Sequence, residues 1–304
     1  MKKTLLALAV TSAASIASTG AFADTGLNSL THEVKVNDHK DGYTKTEWTL
    51  GKGSYTLSEN FDFLFDVDKD FITSSGAEDQ EGWDTQFGLA QSAGSFGGFD
   101  LTLYYLYRYD AVYKADSGEN TKRYDQYIFA PFFSKNVELF GNDFSFGIEL
   151  WGQGGTNISD SSFQAQSGVE TNFYLSGDLS ERWNLSLAWY NFGYYGIGKE
   201  ADEYAYQIGT EDYLTYSLPL TEKLTFSVES YIEAYHTPDS DETNVYSHIK
   251  PSVRFSQEIS EGVSFHASVA YEVVSWDYAD DGSADGGQST SNNNEFEFVV
   301  GFKF

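Results

Sequence analysis

The sequence predicts an all-β fold: about 14 antiparallel strands closed into a transmembrane β-barrel, with short periplasmic turns and longer extracellular loops. Three observations predict it. Apolar and polar residues alternate with a period of two along most of the chain, the connections between these runs are short and long by turns, and the chain finishes on a strand, Glu295 to Phe304, whose last residue is aromatic. A period of two sends successive side chains to opposite faces, so each run carries one greasy and one wet face.

The N-terminus sets the compartment. Lys2 and Lys3 precede the apolar stretch 5–10, and a small-residue tract leads to Ala21-Phe22-Ala23. That is the pattern of a cleaved signal peptide over 1–23, leaving 24–304 as a single barrel domain. Loss of Lys2 and Lys3 takes the formal net charge from −28 to −30. Such a chain disfavours nucleic acid and anionic membrane surfaces as partners. There is no cysteine, which excludes a disulfide-stapled scaffold. Mean hydropathy is −0.41, and the mature chain has no apolar run of about 18 residues that would make a membrane helix. Aromatics nevertheless make up 17% of the sequence, too many for a disordered acidic chain.

The strands are placed roughly at 29–36, 43–51, 60–68, 82–91, 99–113, 123–137, 144–154, 165–177, 183–195, 203–218, 224–236, 244–257, 263–278 and 294–304. The clearest runs fix their phase. In 99–109, Phe99, Leu101, Leu103, Tyr105 and Tyr107 share one face, with Asp100, Thr102, Tyr104 and Arg108 on the other. In 144–151, Phe144, Phe146, Ile148 and Leu150 oppose Ser145, Gly147 and Glu149. The same split separates Trp183, Leu185, Leu187 and Trp189 from Asn184, Ser186 and Ala188. It separates Leu224, Phe226, Val228 and Ile232 from Thr225, Ser227, Glu229 and Glu233, and Val263, Phe265, Ala267, Val269 and Tyr271 from Ser264, His266, Ser268 and Glu272. Short connections fall at 140–143, 178–182, 219–223 and 260–262. The others, such as 67–83, 114–122, 154–163, 237–243 and 279–294, are longer, acidic and rich in Gly and Ser.

A secreted soluble β-protein would turn the greasy faces inward, whereas a membrane barrel turns them to lipid and satisfies every backbone group by closing. The final strand separates the two. An aromatic last residue resembles the outer-membrane barrel family of Gram-negative bacteria, in which the last strand pairs with the first; that resemblance implies a role for Phe304 in closure and in recognition by the barrel assembly machinery. Trp151, Trp183, Trp189, Tyr194, Tyr195 and Trp276 suit aromatic girdles at the lipid boundary. The architecture over the whole mature chain, with a short local echo at Asn142-Asp143-Phe144-Ser145-Phe146-Gly147, is similar to the OmpG-type monomeric porins. The shorter KdgM-type oligosaccharide channels are a second relative in style. The resemblance implies a monomeric outer-membrane porin, not an enzyme, that passes small hydrophilic solutes by diffusion.

A barrel of about 14 strands is wide enough for a water-filled interior unless something plugs it, and nothing in the sequence reads as a plug. The phases place acids Asp100, Asp110, Glu149, Glu170, Glu229, Glu233, Glu272, Glu295 and Glu297 on the wet face, with bases Arg108, Lys250, Arg254 and Lys303. Acids in excess predict mild cation selectivity; the alternative is acids that merely solvate a wet wall. Tyr104, Tyr174, Tyr190 and Tyr231 fall on the same face, so an oligosaccharide-specific channel is the runner-up. A barrel hydrolase or an adhesin stands behind it. His266-Ala267-Ser268 resembles the His-x-Ser element of outer-membrane phospholipases but lacks the Asn-Gly that follows there. Asp277, Asp280, Asp281 and Asp285 miss calcium-loop spacing, and 278–294 is a candidate gate loop. His248 and His266 sit toward opposite ends of adjacent strands and share no gate, while His32, His39 and His236 are too isolated for a metal site. No cofactor is expected; the expected partners are outer-membrane lipid and small hydrophilic solutes or sugars.

Overall fold

The computed structural model describes residues 26–39, 42–74, 78–115, 117–118, 120–159, 162–197, 204–238, 241–280, 288–291 and 294–304. They form strands β1 (Leu27–His39), β2 (Tyr43–Ser58), β3 (Phe61–Ser74), β4 (Gln80–Phe96), β5 (Phe99–Lys114), β6 (Asn120–Leu139), β7 (Asn142–Ser159) and β8 (Ser162–Ser180). These are followed by β9 (Trp183–Ile197), β10 (Tyr204–Pro219), β11 (Leu224–Thr237), β12 (Glu242–Ser260), β13 (Val263–Tyr271), β14 (Val274–Asp280), β15 (Gln288–Ser291) and β16 (Glu295–Lys303). β13 and β14 are two halves of one stave, both paired with β12, and β16 and β15 make up the next, paired with β13 and β14. The result is a closed antiparallel barrel of fourteen staves.

Closure is direct. β1 pairs with β16 from Thr31↔Lys303 to His39↔Glu295. Beyond that ladder the Phe304 N–H donates to the Leu30 carbonyl at 2.8 Å, and the Leu30 N–H donates to the Phe304 carbonyl at 3.2 Å. The ring of Phe304 meets His32 edge-on at 6.0 Å. The terminal residue is therefore held by two backbone bonds and a ring contact, which repays the entropy of ordering a chain end.

The wall is inside-out relative to a soluble protein. Residues directly opposite on neighbouring strands share a face. Large apolar side chains stand exposed on the outer face, among them Tyr127 at 69%, Val169 at 68% and Trp189 at 55%. Buried polar groups, Asn172, His248, His266, Glu272 and Ser275, stand on the inner one. A lipid surrounding would remove the penalty for exposed Trp and Val, and closure leaves no unpaired edge in the ladder.

Tight turns at one end follow local chemistry. Gly97 and Gly98 have φ of 61° and 82°, and Phe140 and Gly141 have 54° and 78°. These positive values fit the mirror-image two-residue turns that hairpins favour, in which Phe140 is the costly residue. Turns at 140–141, 181–182, 220–223 and 261–262 join neighbouring strands.

Several strands run further than expected. β3 reaches Ser74 and β4 begins at Gln80, inside the stretch read as a connection. There Lys69 interrupts the apolar row and Ile72 the polar one, so the period of two fades in sequence while the ladder continues. β7 and β8 likewise run through most of 154–163. The signal peptide, Asp281, Asp285 and the centre of the candidate gate loop, 281–287, lie outside the described residues, as do the side chains of Tyr194 and Tyr195.

Candidate functional site

The inner face of the barrel gathers the chemistry. Asp100, Arg108 and Asp110 face inward from β5, Glu149 from β7, Glu170 from β8, Glu229 and Glu233 from β11, and Lys250 and Arg254 from β12. Glu295, Glu297 and Lys303 face inward from β16, and Glu272 from the break between β13 and β14. Glu272 is only 2% exposed: it accepts from Tyr246 Oη at 2.8 Å and is shielded from the interior. Register adds inner-face groups that the sequence phases did not give, namely Glu33, Glu47, Asp62, Asp66, Asp68, Asp70, Asp84, Glu211 and Asp277, with bases Lys35, Lys45 and Lys52.

One expectation is corrected. Trp151 is not in a girdle but on the inner face, opposite Glu170, where its Nε1–H donates to Gln153 Oε1 at 3.2 Å. It shares the phase of Glu149, two residues away, so the alternation itself demanded this. Trp183, Trp189 and Trp276 do stand on the outer face, 43%, 55% and 40% exposed.

The inner wall divides into two electrostatic regions. Around the seam, acids are neutralised by bases: Lys35 and Lys250 both reach Glu297, at 3.3 and 3.5 Å. Lys45 bridges Glu47 and Asp70 at 3.0 Å each, Lys52 meets Asp66 at 2.7 Å, and Arg108 meets Asp84 at 2.9 Å. His266 Nε2 contacts Glu33 Oε2 at 2.7 Å, passing over the closing strand at Gly301.

Strands β7 to β11 contain no lysine or arginine at all. Apart from Glu229, which lies opposite Lys250 and meets His248 of β12, their inner-face carboxylates are held by neutral donors. Glu149 accepts from Tyr174 Oη at 2.9 Å and Asn172 Nδ2 at 3.2 Å, while Glu170 accepts from the same amide at 3.1 Å. Glu211 accepts from Tyr235 Oη at 2.6 Å and Tyr190 Oη at 3.3 Å, and Glu233 from Tyr231 Oη at 2.7 Å. Glu211 and Glu233 face each other across the ladder. Hydroxyl donors fix a carboxylate in place without cancelling its charge.

The interior also has an apolar spot where Leu64, Leu106 and Phe132 lie beside Tyr104 and Tyr174. The four tyrosines expected inside, Tyr104, Tyr174, Tyr190 and Tyr231, are all on the inner face. No described segment crosses the interior.

The outer wall is apolar with particular exceptions. Lys69 pairs with Glu81 at 2.8 Å over the ring of Trp83, and Arg123 pairs with Asp125 at 2.8 Å beneath Tyr109. Both lie toward the end away from the tight turns, where the long side chains can carry their charge off the apolar band. Asp212 is different: it sits between Leu187 and Ile232 and accepts from Thr210 Oγ1 at 3.0 Å.

The remaining candidates separate. His266 and Ser268 share the inner face, yet the imidazole bonds Glu33 and makes no hydrogen bond to Ser268. A nucleophile without its base is not a hydrolase dyad. His248 Nε2 contacts Glu229 at 3.1 Å, and His236 Nδ1 contacts Thr243 at 2.9 Å. Among the described residues no three His, Asp or Glu side chains are placed to hold a metal ion.

No protein-family model and no curated protein matches the chain. Solved structures do. CdiB from Acinetobacter baumannii superposes with a TM-score of 0.49 at 10% identity over 91% of this chain, which spans 60% of that protein's length. A bacterial polysaccharide outer membrane secretin gives 0.42 at 10% identity, covering 92% and 99% of the two chains. The NanC porin gives 0.34 at 11% identity, covering 90% and 98%. Likeness at this distance leaves function to the residues of the chain itself.

Proposed function

We propose that the chain is a channel of the Gram-negative outer membrane through which small hydrophilic solutes and ions diffuse, with a preference for cations. One observation carries this reading: a closed wall whose outer face is apolar and whose inner face carries un-neutralised carboxylates around an interior that no described segment fills. Acyl chains accept the outer face, and only water or a polar solute accepts the inner one. The carboxylates of β7 to β11 raise the local concentration of cations and lower that of anions. Asp100, Arg108, Glu149, Glu170, Glu229, Glu233, Lys250, Arg254, Glu295 and Glu297 are proposed to line the passage, and Phe304 to close it.

The mature chain, refolded and inserted into planar bilayers, is expected to give steady conductance and, across a potassium chloride gradient, a reversal potential of cation-selective sign. An anion-selective sign would remove the role given to β7 to β11, and absence of current would remove the channel. A saccharide-specific channel is the second reading, favoured by the inward placement of Tyr104, Tyr174, Tyr190 and Tyr231; sugar-dependent block of the current would support it.

A further inference from the structure

We propose that the inner face of β7 to β11 holds a binding site for organic cations, ammonium-bearing solutes about the size of an amino sugar or a choline. The proposal rests on the channel reading and deepens it. Four consecutive strands place Trp151, Glu170, Phe192 and Gln207 in one row, each directly opposite the next. Glu170 is thus flanked on both sides by aromatic rings. Around the neighbouring Glu211, Tyr190 and Tyr235 form a second bracket, their ring centres 6.5 Å apart and their hydroxyls bonded to its two oxygens. All of these line one cavity of about 660 Å³ on the inner wall.

Two glycines make the arrangement possible. A side chain at Gly209 would collide with the ring of Tyr235, which lies across it, and one at Gly168 would come within 2.8 Å of Gln153 and 3.2 Å of Phe192. The row is also held still: Gln153 Oε1 accepts from Trp151 Nε1 at 3.2 Å and from Gln126 Nε2 at 3.1 Å.

The chemistry selects the ligand class. A carboxylate set among aromatic rings attracts an alkylammonium both by charge and through the rings, whereas a small hydrated metal ion gains little from the rings. Neither Glu170 nor Glu211 has an ion-pair partner among the described residues, and Arg108, the one cationic group in the cavity, is engaged by Asp84. Asn172, 2% exposed, gives its Nδ2 to both Glu149 and Glu170 and so fixes the carboxylate that faces the cavity.

The test uses the full mature chain in detergent micelles, titrated calorimetrically with choline, with glucose and with gluconate. Choline is expected to bind at least tenfold more tightly than glucose, and gluconate not at all. Glu170→Gln, Glu211→Gln and Trp151→Leu are each expected to weaken choline at least tenfold, Trp151→Phe to keep most of the affinity, and the outer-wall variant Gly154→Ala to change nothing. Choline binding no tighter than glucose, or unchanged by both glutamine variants, overturns the proposal, and glucose binding more tightly than choline replaces it with a saccharide platform. Binding is read without conduction, so choline affinity in a protein that gives no current defeats only the channel, while current without choline affinity defeats only this site.

Discussion

Gly301→Ala is expected to weaken the barrel at its seam. The glycine sits on the inner face of β16, opposite Glu33 on one side and His266 on the other. An alanine Cβ there would lie 2.5 Å from the backbone oxygen of His32 and 2.9 Å from both Cε1 and Nε2 of His266. Ordinary carbon–oxygen contact is about 3.3 Å or more, so both neighbours must give. The His32 oxygen belongs to the ladder and cannot turn away; overpacking of this kind costs about 1–3 kcal/mol. The imidazole can swing aside, but only by leaving Glu33, and a hydrogen bond to a charged group is worth about 1.5–3 kcal/mol. The expected loss is about 2.5–6 kcal/mol. Gly154→Ala is the control, since nothing lies within 4 Å of the Cβ it would gain; its effect is expected to stay within about 0.5 kcal/mol. Urea unfolding in micelles, followed by the gel mobility difference between folded and boiled chain, reads both. In a His266→Ala background the cost of Gly301→Ala should fall to its backbone part. Equal unfolding midpoints for Gly301→Ala and Gly154→Ala would refute the reasoning.

Other consequences are open to measurement. Asp212→Leu replaces an outward acid flanked by Leu187 and Ile232, and is expected to stabilise the barrel in lipid vesicles by about 1–2 kcal/mol; destabilisation would mean that this face does not meet acyl chains. Phe140→Asn puts a residue tolerant of positive φ where the backbone holds 54°, and should raise the urea midpoint, by about 0.5–1 kcal/mol; a lowered midpoint would show that the ring is held at the membrane surface. Glu233→Gln removes one of two carboxylates that face each other across the ladder, so it should reduce cation selectivity and leave stability unchanged or higher; unaltered reversal potential would place the selecting charges elsewhere.

Much of this wall was legible in the sequence because a strand's period of two is unambiguous once one residue of a run is oriented. Asp100, Glu149, Glu229 and Glu295 could be assigned to a face from their neighbours alone. β3 shows where that fails: Lys69 in its outer row is tolerated because Glu81 and the rings of Phe71 and Trp83 cover it, and those belong to other positions and another strand. The row Trp151, Glu170, Phe192, Gln207 depends on the stagger of four strands, which local pattern does not encode. His266 and Glu33 are 233 residues apart, and only closure brings them together.

The uneven charge of the inner wall follows from the same closure. The seam joins the two ends of the chain, so its strands gain no help from a tight connecting turn and must find each other through side chains and ladder bonds. Opposite charges across those strands provide it: Lys35 of β1 and Lys250 of β12 converge on Glu297 of β16, and His266 of β13 reaches Glu33 of β1 over the top of the closing strand. Hairpin neighbours β7 to β11 are registered by their own turns and ladders and need no such pairs. Their inner face can therefore carry Glu149, Glu170, Glu211 and Glu233 held by tyrosine and asparagine alone, so the charge left over for a passing solute lies on the half of the wall farthest from the seam. Moving a base there, as in Gln207→Lys beside Glu170 and Glu211, should lower cation selectivity while leaving the unfolding midpoint of the seam variants unchanged. If that lysine instead altered closure, function and assembly would share one network, and the division of the wall would be mistaken.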